Sequence, residues 1–295
     1  MNRVIISRKG FDSSTGKTPA YPSPIYKDGR IFSIPIHMTK NSPPDVFGKV
    51  NYQGFNAFEA IQYIYSFSKN GSPYSEKDTC HFDPNLSVTP GLFGQAGDDQ
   101  RELEKGGVSA GDLFLFFGFF RNYSKNPSIK LNRGSNGCHH FFGWLQIEEI
   151  ISGTELIRDF CENLGVRHPH GYGQWANNTL YVGSRNLISS FGELRGKGSG
   201  LFPQTHGDLI LSDLKDHKKS MWKMPEKYFR KITKEHEPDE MFVTRNLKPK
   251  GPKAWFDPDN LLIDTNRGNW QELVLDGDKF PSIEEWAHSL IKKRS

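Results

Sequence analysis

The chain has 295 residues and a formal net charge of +4, from 38 Lys and Arg against 34 Asp and Glu. This length allows one large domain or two small ones, and so weak a positive charge does not by itself indicate nucleic-acid binding. The three cysteines are too few and too scattered for a disulfide framework or a zinc site made only of cysteines.

The N-terminus turns polar before an apolar signal-peptide region can develop, and no apolar run has the length of a transmembrane helix. We therefore predict a cytoplasmic protein with reduced cysteines and no membrane partner.

The first third of the chain predicts two strands and a helix. Residues 3–7 are rich in β-branched side chains, and residues 31–36 form a second strand-like run. Residues 56–67 carry an apolar stripe at helical spacing, with Asn56 as the N-cap and Glu59 completing a capping box.

Two aromatic runs at 111–121 and 139–147 predict a pair of buried strands. The polar, basic stretch 122–137 between them is long for a hairpin, so we predict a functional or mobile loop there. The remaining predicted elements are a helix over 154–164, strands at 179–182 and 209–211, a glycine-rich loop over 185–207, and a last helix over 283–292.

Together these elements predict an α+β fold in a single domain over residues 1–295. Its centre is a strand-rich mixed or barrel-like sheet with a few flanking helices. The basic stretch that begins near Lys215 leaves open a separate C-terminal subdomain over 213–295.

Arg8, Lys9 and Asp12 directly follow the first predicted strand, where ligand-binding groups are often found. A guanidinium and an ammonium can hold a phosphate, while the Asp12 carboxylate can orient them or accept a proton. A surface ion pair beside a turn is the alternative. The glycine and lysine spacing of a Walker loop is absent.

Two short motifs place histidines next to each other or to a carboxylate. His81 and Asp83 share one side of an extended segment, and so do His168 and His170. They could act as acid–base groups, with Asp83 fixing an imidazole tautomer, or they could bind a metal. We favour histidines that line a pocket, and we assign no metal ligands and no cofactor.

The aromatic runs carry three further candidates. Arg121 ends one run and could contact a base or its phosphate, while Trp144 could form a stacking wall. His140 adds a polar group at the start of the second run. Ordinary core packing is the alternative for Trp144.

Several of these motifs, in this order, resemble the third nucleotide-modification-associated domain, a prokaryotic and phage family. The resemblance rests on the segments that begin at Ser7, Cys80, Gly111, His140, His168 and Asn178. It implies a role in modifying DNA or in handling modified bases, with no defined reaction. The strand that holds Gly111 and the one that holds Trp144 are also similar to the central strands of PUA-like, ASCH and EVE domains.

The leading hypothesis is a protein that holds a nucleotide or a modified base of DNA in a central pocket. His81, Asp83, His140, His168 and His170 would supply acid–base or polar groups, and the residues that would bind the nucleotide are Arg8, Lys9, Asp12, Arg121 and Trp144. An enzyme of this kind would be a hydrolase or transferase acting on nucleotides or nucleic acid. The alternatives are a non-catalytic reader of modified nucleic acid and a metal-dependent nuclease or phosphoesterase.

Overall fold

A computed structural model of the chain describes residues 3–11, 21–39, 45–123, 137–189, 192–213, 218–232, 238–243, 255–265 and 272–294. The α-helices in these ranges are α1 (Ala57–Tyr65), α2 (Gly97–Lys105), α3 (Thr154–Asn163), α4 (Glu226–Phe229) and α5 (Pro281–Arg294). The strands are β1 (Val4–Arg8), β2 (Ser23–Ile25), β3 (Ile36–His37), β4 (Asp45–Val46), β5 (Asn51–Tyr52), β6 (Phe55–Asn56), β7 (Thr79–His81), β8 (Leu92–Gln95), β9 (Leu113–Asn122), β10 (Gly137–Ser152), β11 (Thr179–Gly183), β12 (Asn186–Ser189), β13 (Gly192–Lys197), β14 (Ser199–Leu201), β15 (Ser212–Asp213), β16 (Lys218–Lys223), β17 (Trp255–Asp257), β18 (Leu262–Asp264) and β19 (Glu272–Leu275).

The centre of the fold is an eight-stranded mixed sheet. Its order is β19-β1-β9-β10-β11-β8, with β2 paired to β9 and β14 paired to β10. β1 runs parallel to β9, whereas β9 and β10 are antiparallel. This confirms the predicted α+β class with a mixed central sheet. Within the described residues no backbone pairing closes it into a barrel, although the Gln95 and Glu272 side chains of its two end strands are hydrogen-bonded.

The two aromatic runs form β9 and β10, as predicted, and β9 is buried on both faces. Phe114 and Phe116 pack into one core with Phe93 and Tyr181, while Leu115 on the opposite face packs toward the C-terminal elements. Alternate residues of a strand point to opposite faces, so a strand between two cores has few polar positions. Residues 124–136, most of the predicted insertion, lie outside the described ranges.

The predicted first helix is confirmed, with a shorter extent. The Asn56 side chain accepts hydrogen bonds from the backbone N–H groups of Phe58 and Glu59, which satisfies two donors that the first turn leaves open. The helix ends at Tyr65, and it packs its apolar stripe onto a second aromatic core beside the sheet.

Several predicted boundaries were wrong. The stretch 185–207 contains β12, β13 and β14 rather than loop alone: β12 and β13 pair with each other, and β14 pairs with β10, where Gly200 leaves room for the Trp144 ring. The predicted strand at 209–211 begins as a 3-10 turn, Gly207–Leu209, and the predicted strand at 31–36 contributes only an isolated bridge at Ile31 before β3. Sequence reasoning missed α2, whose core contact rests on Gln100 and Leu103.

The C-terminal elements pack on the central sheet. Trp222 of β16 and Trp286 of α5 belong to the same buried cluster as Ile6 of β1 and Phe117 of β9. In the described part of the chain, no helix combines the length and apolarity needed to cross a bilayer.

Candidate functional site

Asp83 lies between β7 and β8, in a segment that is irregular in sequence but fixed in the fold. It is almost fully buried and precedes a cis peptide bond to Pro84. The backbone N–H of Gly94 in β8 donates a hydrogen bond of 2.9 Å to Asp83 Oδ1. This bond anchors the carboxylate beside the last strand of the central sheet.

Three histidines converge on this carboxylate. His168 Nε2 lies 3.2 Å from Asp83 Oδ1, while the Nε2 atoms of His81 and His170 lie 3.5 and 3.7 Å from Oδ2. The two sequence motifs therefore meet in space, and we call these four residues the Asp83 centre. Its side chains are buried, and His81, at 11% exposure, is the most accessible of the four.

The local backbone sets the tautomer of His168. This residue is the N-cap of a 3-10 turn, Pro169–Gly171, and its Nδ1 accepts the backbone N–H of His170. Nε2 then carries the ring proton of the neutral imidazole and donates it to Asp83 Oδ1. His168 thus orients the carboxylate and leaves Oδ2 to face the other two histidines.

A second set of contacts fixes His170. Its Nδ1 lies 2.6 Å from Asn178 Oδ1, and the Asn178 amide donates to the His170 carbonyl and to Thr154 Oγ1. Trp175 stacks on the ring, with centroids 5.3 Å apart and planes 13° apart.

Gly94 supplies the space for the His170 ring. A Cβ at Gly94 would lie 2.2 Å from His170 Cδ2, so a side chain at position 94 is excluded by the ring. Sequence reasoning assigned no role to Gly94, Trp175 or Asn178. Asn178 begins one of the segments that resemble the nucleotide-modification-associated family, and this resemblance could have identified it as a site residue.

The electrostatics of the centre follow from burial and from the short contacts. Burial alone would raise the pKa of Asp83, but hydrogen bonding by His168 and His81 outweighs it and holds this pKa below its usual value. Burial lowers the pKa of His170 to about 3, against the attraction of Asp83. At neutral pH Asp83 is ionised and His170 is neutral.

A further carboxylate lies near the centre. Burial raises the pKa of Asp45 in β4, against an opposing electrostatic influence of His168, Arg167 and His81. Asp45 is therefore a second buried carboxyl group that interacts electrostatically with His168 and His81.

A narrow cleft adjoins Asp83. Its volume is about 10 Å³, which is room for about one water molecule. Its walls are mainly apolar and aromatic, with Gly10 from the end of β1 among them. The other lining residues are Ser33, Ile34, Pro35, Tyr52, Phe82, Asp83, Pro84, Leu86, Ser87, Phe142 and Leu201.

Of the predicted phosphate-binding group Arg8, Lys9 and Asp12, Lys9 is already paired inside the fold. Lys9 Nζ lies 2.9 Å from Glu272 Oε1 inside the sheet, next to the Phe93 ring, so its charge is already neutralised by a buried carboxylate. Arg8 is half-buried at the end of β1, and Asp12 lies outside the described residues.

His140 and Trp144 lie apart from the Asp83 centre. Both ring nitrogens of His140 are engaged, Nδ1 with the Phe141 carbonyl and Nε2 with Thr205 Oγ1, and burial lowers its pKa to about 4. The Trp144 indole is 3% exposed and packs on Phe202, so the core interpretation replaces the stacking wall.

Arg121 is also buried, at 2% exposure, and its guanidinium lies 5.6 Å from the Tyr123 ring centroid. It stands at the end of β9, where it pairs with Pro24 of β2, and it is not part of the Asp83 centre.

Two kinds of chemistry are open to the Asp83 centre. An accessible imidazole can act as a general acid or base, so His81, the most exposed histidine of the centre, could move a proton to or from a bound molecule. Within the described residues, His81, Asp83 and His170 also form a group that could hold a metal ion, since their ligand atoms all lie within 4.8 Å of one another.

Comparisons with known proteins identify a family. The sequence profile of nucleotide modification associated domain 3 matches residues 3–258, which include every residue of the Asp83 centre. No curated protein matches the chain, and no solved structure matches it. The similarity to PUA-like domains is therefore not confirmed. Because the match covers most of the sequence, the chain belongs to the nucleotide modification associated domain 3 family.

Proposed function

We propose that this protein binds and processes a nucleotide or a modified base of DNA, and that the chemistry takes place at the Asp83 centre. The observation that carries the proposal is the convergence of two distant sequence motifs on one buried, ionised carboxylate. Family membership supplies the nucleotide context. Buried groups with perturbed pKa values beside a cleft are typical of functional sites.

We assign different roles to the residues of the Asp83 centre. Asp83 holds negative charge in a buried position, and His168 fixes its orientation. His81 is the most exposed of the three histidines, so it is the group that contacts the substrate and exchanges a proton with it.

The cleft beside Asp83 supports a flat, aromatic ligand. Tyr52 and Phe82 are stacked with their centroids 5.5 Å apart, and both line the cleft together with Phe142. Aromatic side chains bind nucleobases through their faces without strong preference for one base. With room for about one water molecule, the cleft has to widen before a base can enter.

Mass spectrometry of reaction products tests this proposal. The full chain is incubated with free nucleotides and with DNA that carries modified or plain bases. We expect a product with the wild type and none with Asp83→Asn or with the His168→Ala, His170→Ala double variant. His288→Gln, which changes a buried histidine of α5, is the matched control and retains activity. Unchanged binding and unchanged turnover in both centre variants would exclude this site.

The same experiment separates the alternatives. A reader of modified nucleic acid would bind such DNA with an affinity that falls as salt rises, and it would form no product. A metal-dependent nuclease or phosphoesterase is the second candidate, because three ligand atoms of the centre lie close together. It would release shortened DNA or free phosphate.

A further inference from the structure

Three side chains of the Asp83 centre have the separations of metal ligands. The Nε2 atoms of His81 and His170 lie 3.5 and 3.7 Å from Asp83 Oδ2. A metal bound at about 2.0–2.2 Å by each of three N and O ligands holds them roughly 3.0–3.5 Å apart. The two histidine–carboxylate separations exceed this range by about 0.2 Å at most, and all three ligand atoms lie within 4.8 Å of one another, so side-chain rotations that bring the two imidazoles together would complete the site.

The hydrogen bonds of His170 leave a lone pair facing the carboxylate. Both amide hydrogens of Asn178 are used, on the His170 carbonyl and on Thr154 Oγ1, so the amide oxygen faces His170 Nδ1. Nδ1 is therefore the protonated nitrogen, and Nε2 of the neutral ring presents its lone pair to Asp83 Oδ2. Two acceptors that face each other in a buried site repel unless a cation lies between them.

This arrangement is also the usual support of a metal-bound histidine. Such a histidine donates its other ring N–H to a carbonyl, amide or carboxylate oxygen, which fixes the ring and its tautomer. Asn178 has this role for His170. His168 and the Gly94 N–H have the matching role for Asp83, since both donate to Oδ1 and leave Oδ2 available.

Two buried polar atoms at the centre have no hydrogen-bond partner within the described part of the chain. They are His81 Nδ1 and Trp175 Nε1, and their rings are 5.9 Å apart. Buried polar groups are rarely left unpaired, because each one loses its hydrogen bonds to water without a replacement. Hydrogen-bonding capacity is therefore unused beside the facing lone pairs, although an ion bound through His81 Nε2 would itself pair with neither of these two atoms.

From these observations we propose that His81 Nε2, Asp83 Oδ2 and His170 Nε2 bind one divalent transition-metal ion. Two imidazoles and one carboxylate suit Zn²⁺ or Fe²⁺, whereas Mg²⁺ and Ca²⁺ prefer ligand sets made of oxygen. A divalent ion bound by one carboxylate and two imidazole lone pairs would have a net charge of +1 together with its ligands. A substrate or a water molecule would take the remaining coordination positions, and the metal would increase the acidity of a bound water.

This inference goes beyond the proposed reaction, because metal uptake is measured without any substrate. The full chain is freed of metal with a chelator, dialysed, and titrated calorimetrically with Zn²⁺ and, in parallel, with Co²⁺ and anaerobic Fe²⁺. The visible spectrum of the Co²⁺ form reports the ligand set independently of heat. We expect one ion per chain.

The variants locate the ion. We expect Asp83→Asn and His81→Ala each to weaken Zn²⁺ binding by about 100-fold or more and to alter the Co²⁺ spectrum, because each removes a ligand. His288→Gln is the control and binds as the wild type does. Circular dichroism of each metal-free variant shows that the fold is retained, and His81→Ala is the mildest change because His81 is the most exposed ligand.

Two results would overturn the inference. One is a wild type that takes up none of the three ions at micromolar concentration, and the other is binding that survives both ligand variants. A wild type that binds Zn²⁺ but converts no nucleotide would refute the proposed function alone. A wild type that converts a nucleotide but takes up none of the three ions would refute the metal site alone.

Discussion

Replacing Gly94 with alanine tests the geometry of the Asp83 centre without changing any of its chemical groups. The new Cβ would lie 2.2 Å from His170 Cδ2, 2.4 Å from Cγ and 2.7 Å from Nε2. Carbon atoms in contact are about 3.5–4.0 Å apart, so the ring would have to move by more than about 1 Å. The ring cannot make this movement and keep both its hydrogen bond to Asn178 and its stacking on Trp175.

The consequence for the centre is large. Metal–ligand distances tolerate changes of about 0.2 Å, so a ring displaced by 1 Å no longer acts as a ligand. We expect Gly94→Ala to weaken Zn²⁺ binding by about 100-fold, as loss of a support group or a ligand does. Overpacking also costs stability, about 1–3 kcal/mol in the free energy of unfolding of the metal-free protein.

Calorimetric Zn²⁺ titration and urea unfolding of the metal-free protein measure the two effects separately. Gly207→Ala is the matched control, because a Cβ at Gly207 meets no atom within 4 Å, and we expect both quantities to stay at their wild-type values. A Gly94→Ala protein with wild-type affinity and wild-type stability would refute the described packing of His170 against β8.

Three other predictions concern stability. Burial lowers the pKa of His140 from 6.5 to about 4. As pH falls, His140 is therefore protonated in the unfolded state before it is protonated in the folded state. The stability that the neutral ring contributes is present above pH 6.5 and is lost as pH falls toward 4. Between pH 7.5 and 5 this costs about 2 kcal/mol, so unfolding curves of His140→Gln should show a decline smaller by that amount. Lys9→Met should lower the free energy of unfolding by about 3–5 kcal/mol, because it leaves Glu272 as an uncompensated buried charge, and Lys9→Met with Glu272→Gln should recover part of the loss. Asn56→Ala should cost about 1 kcal/mol, since two N–H groups at the start of α1 lose their acceptor, and an unchanged denaturation midpoint would contradict the cap.

The sequence by itself determined the local elements. The aromatic runs 111–121 and 139–147 predicted the two central strands, because period-2 burial on two faces leaves few polar positions. Asn56 with Glu59 located the start of α1, since capping depends only on residues within one turn. The short spacing within each motif also identified His81 with Asp83, and His168 with His170, as groups that share a side.

Only the tertiary structure decided which of these groups meet. His168 and Asp83 are separated by 85 positions in sequence and by 3.2 Å in space, and no local pattern encodes that contact. Tertiary packing also places Lys9 and His140 in contacts outside the Asp83 centre. Lys9 pairs with Glu272 of β19, and His140 is hydrogen-bonded to Thr205 in a loop. Gly94 could not be found from sequence, because its contribution is the absence of a side chain where the His170 ring lies.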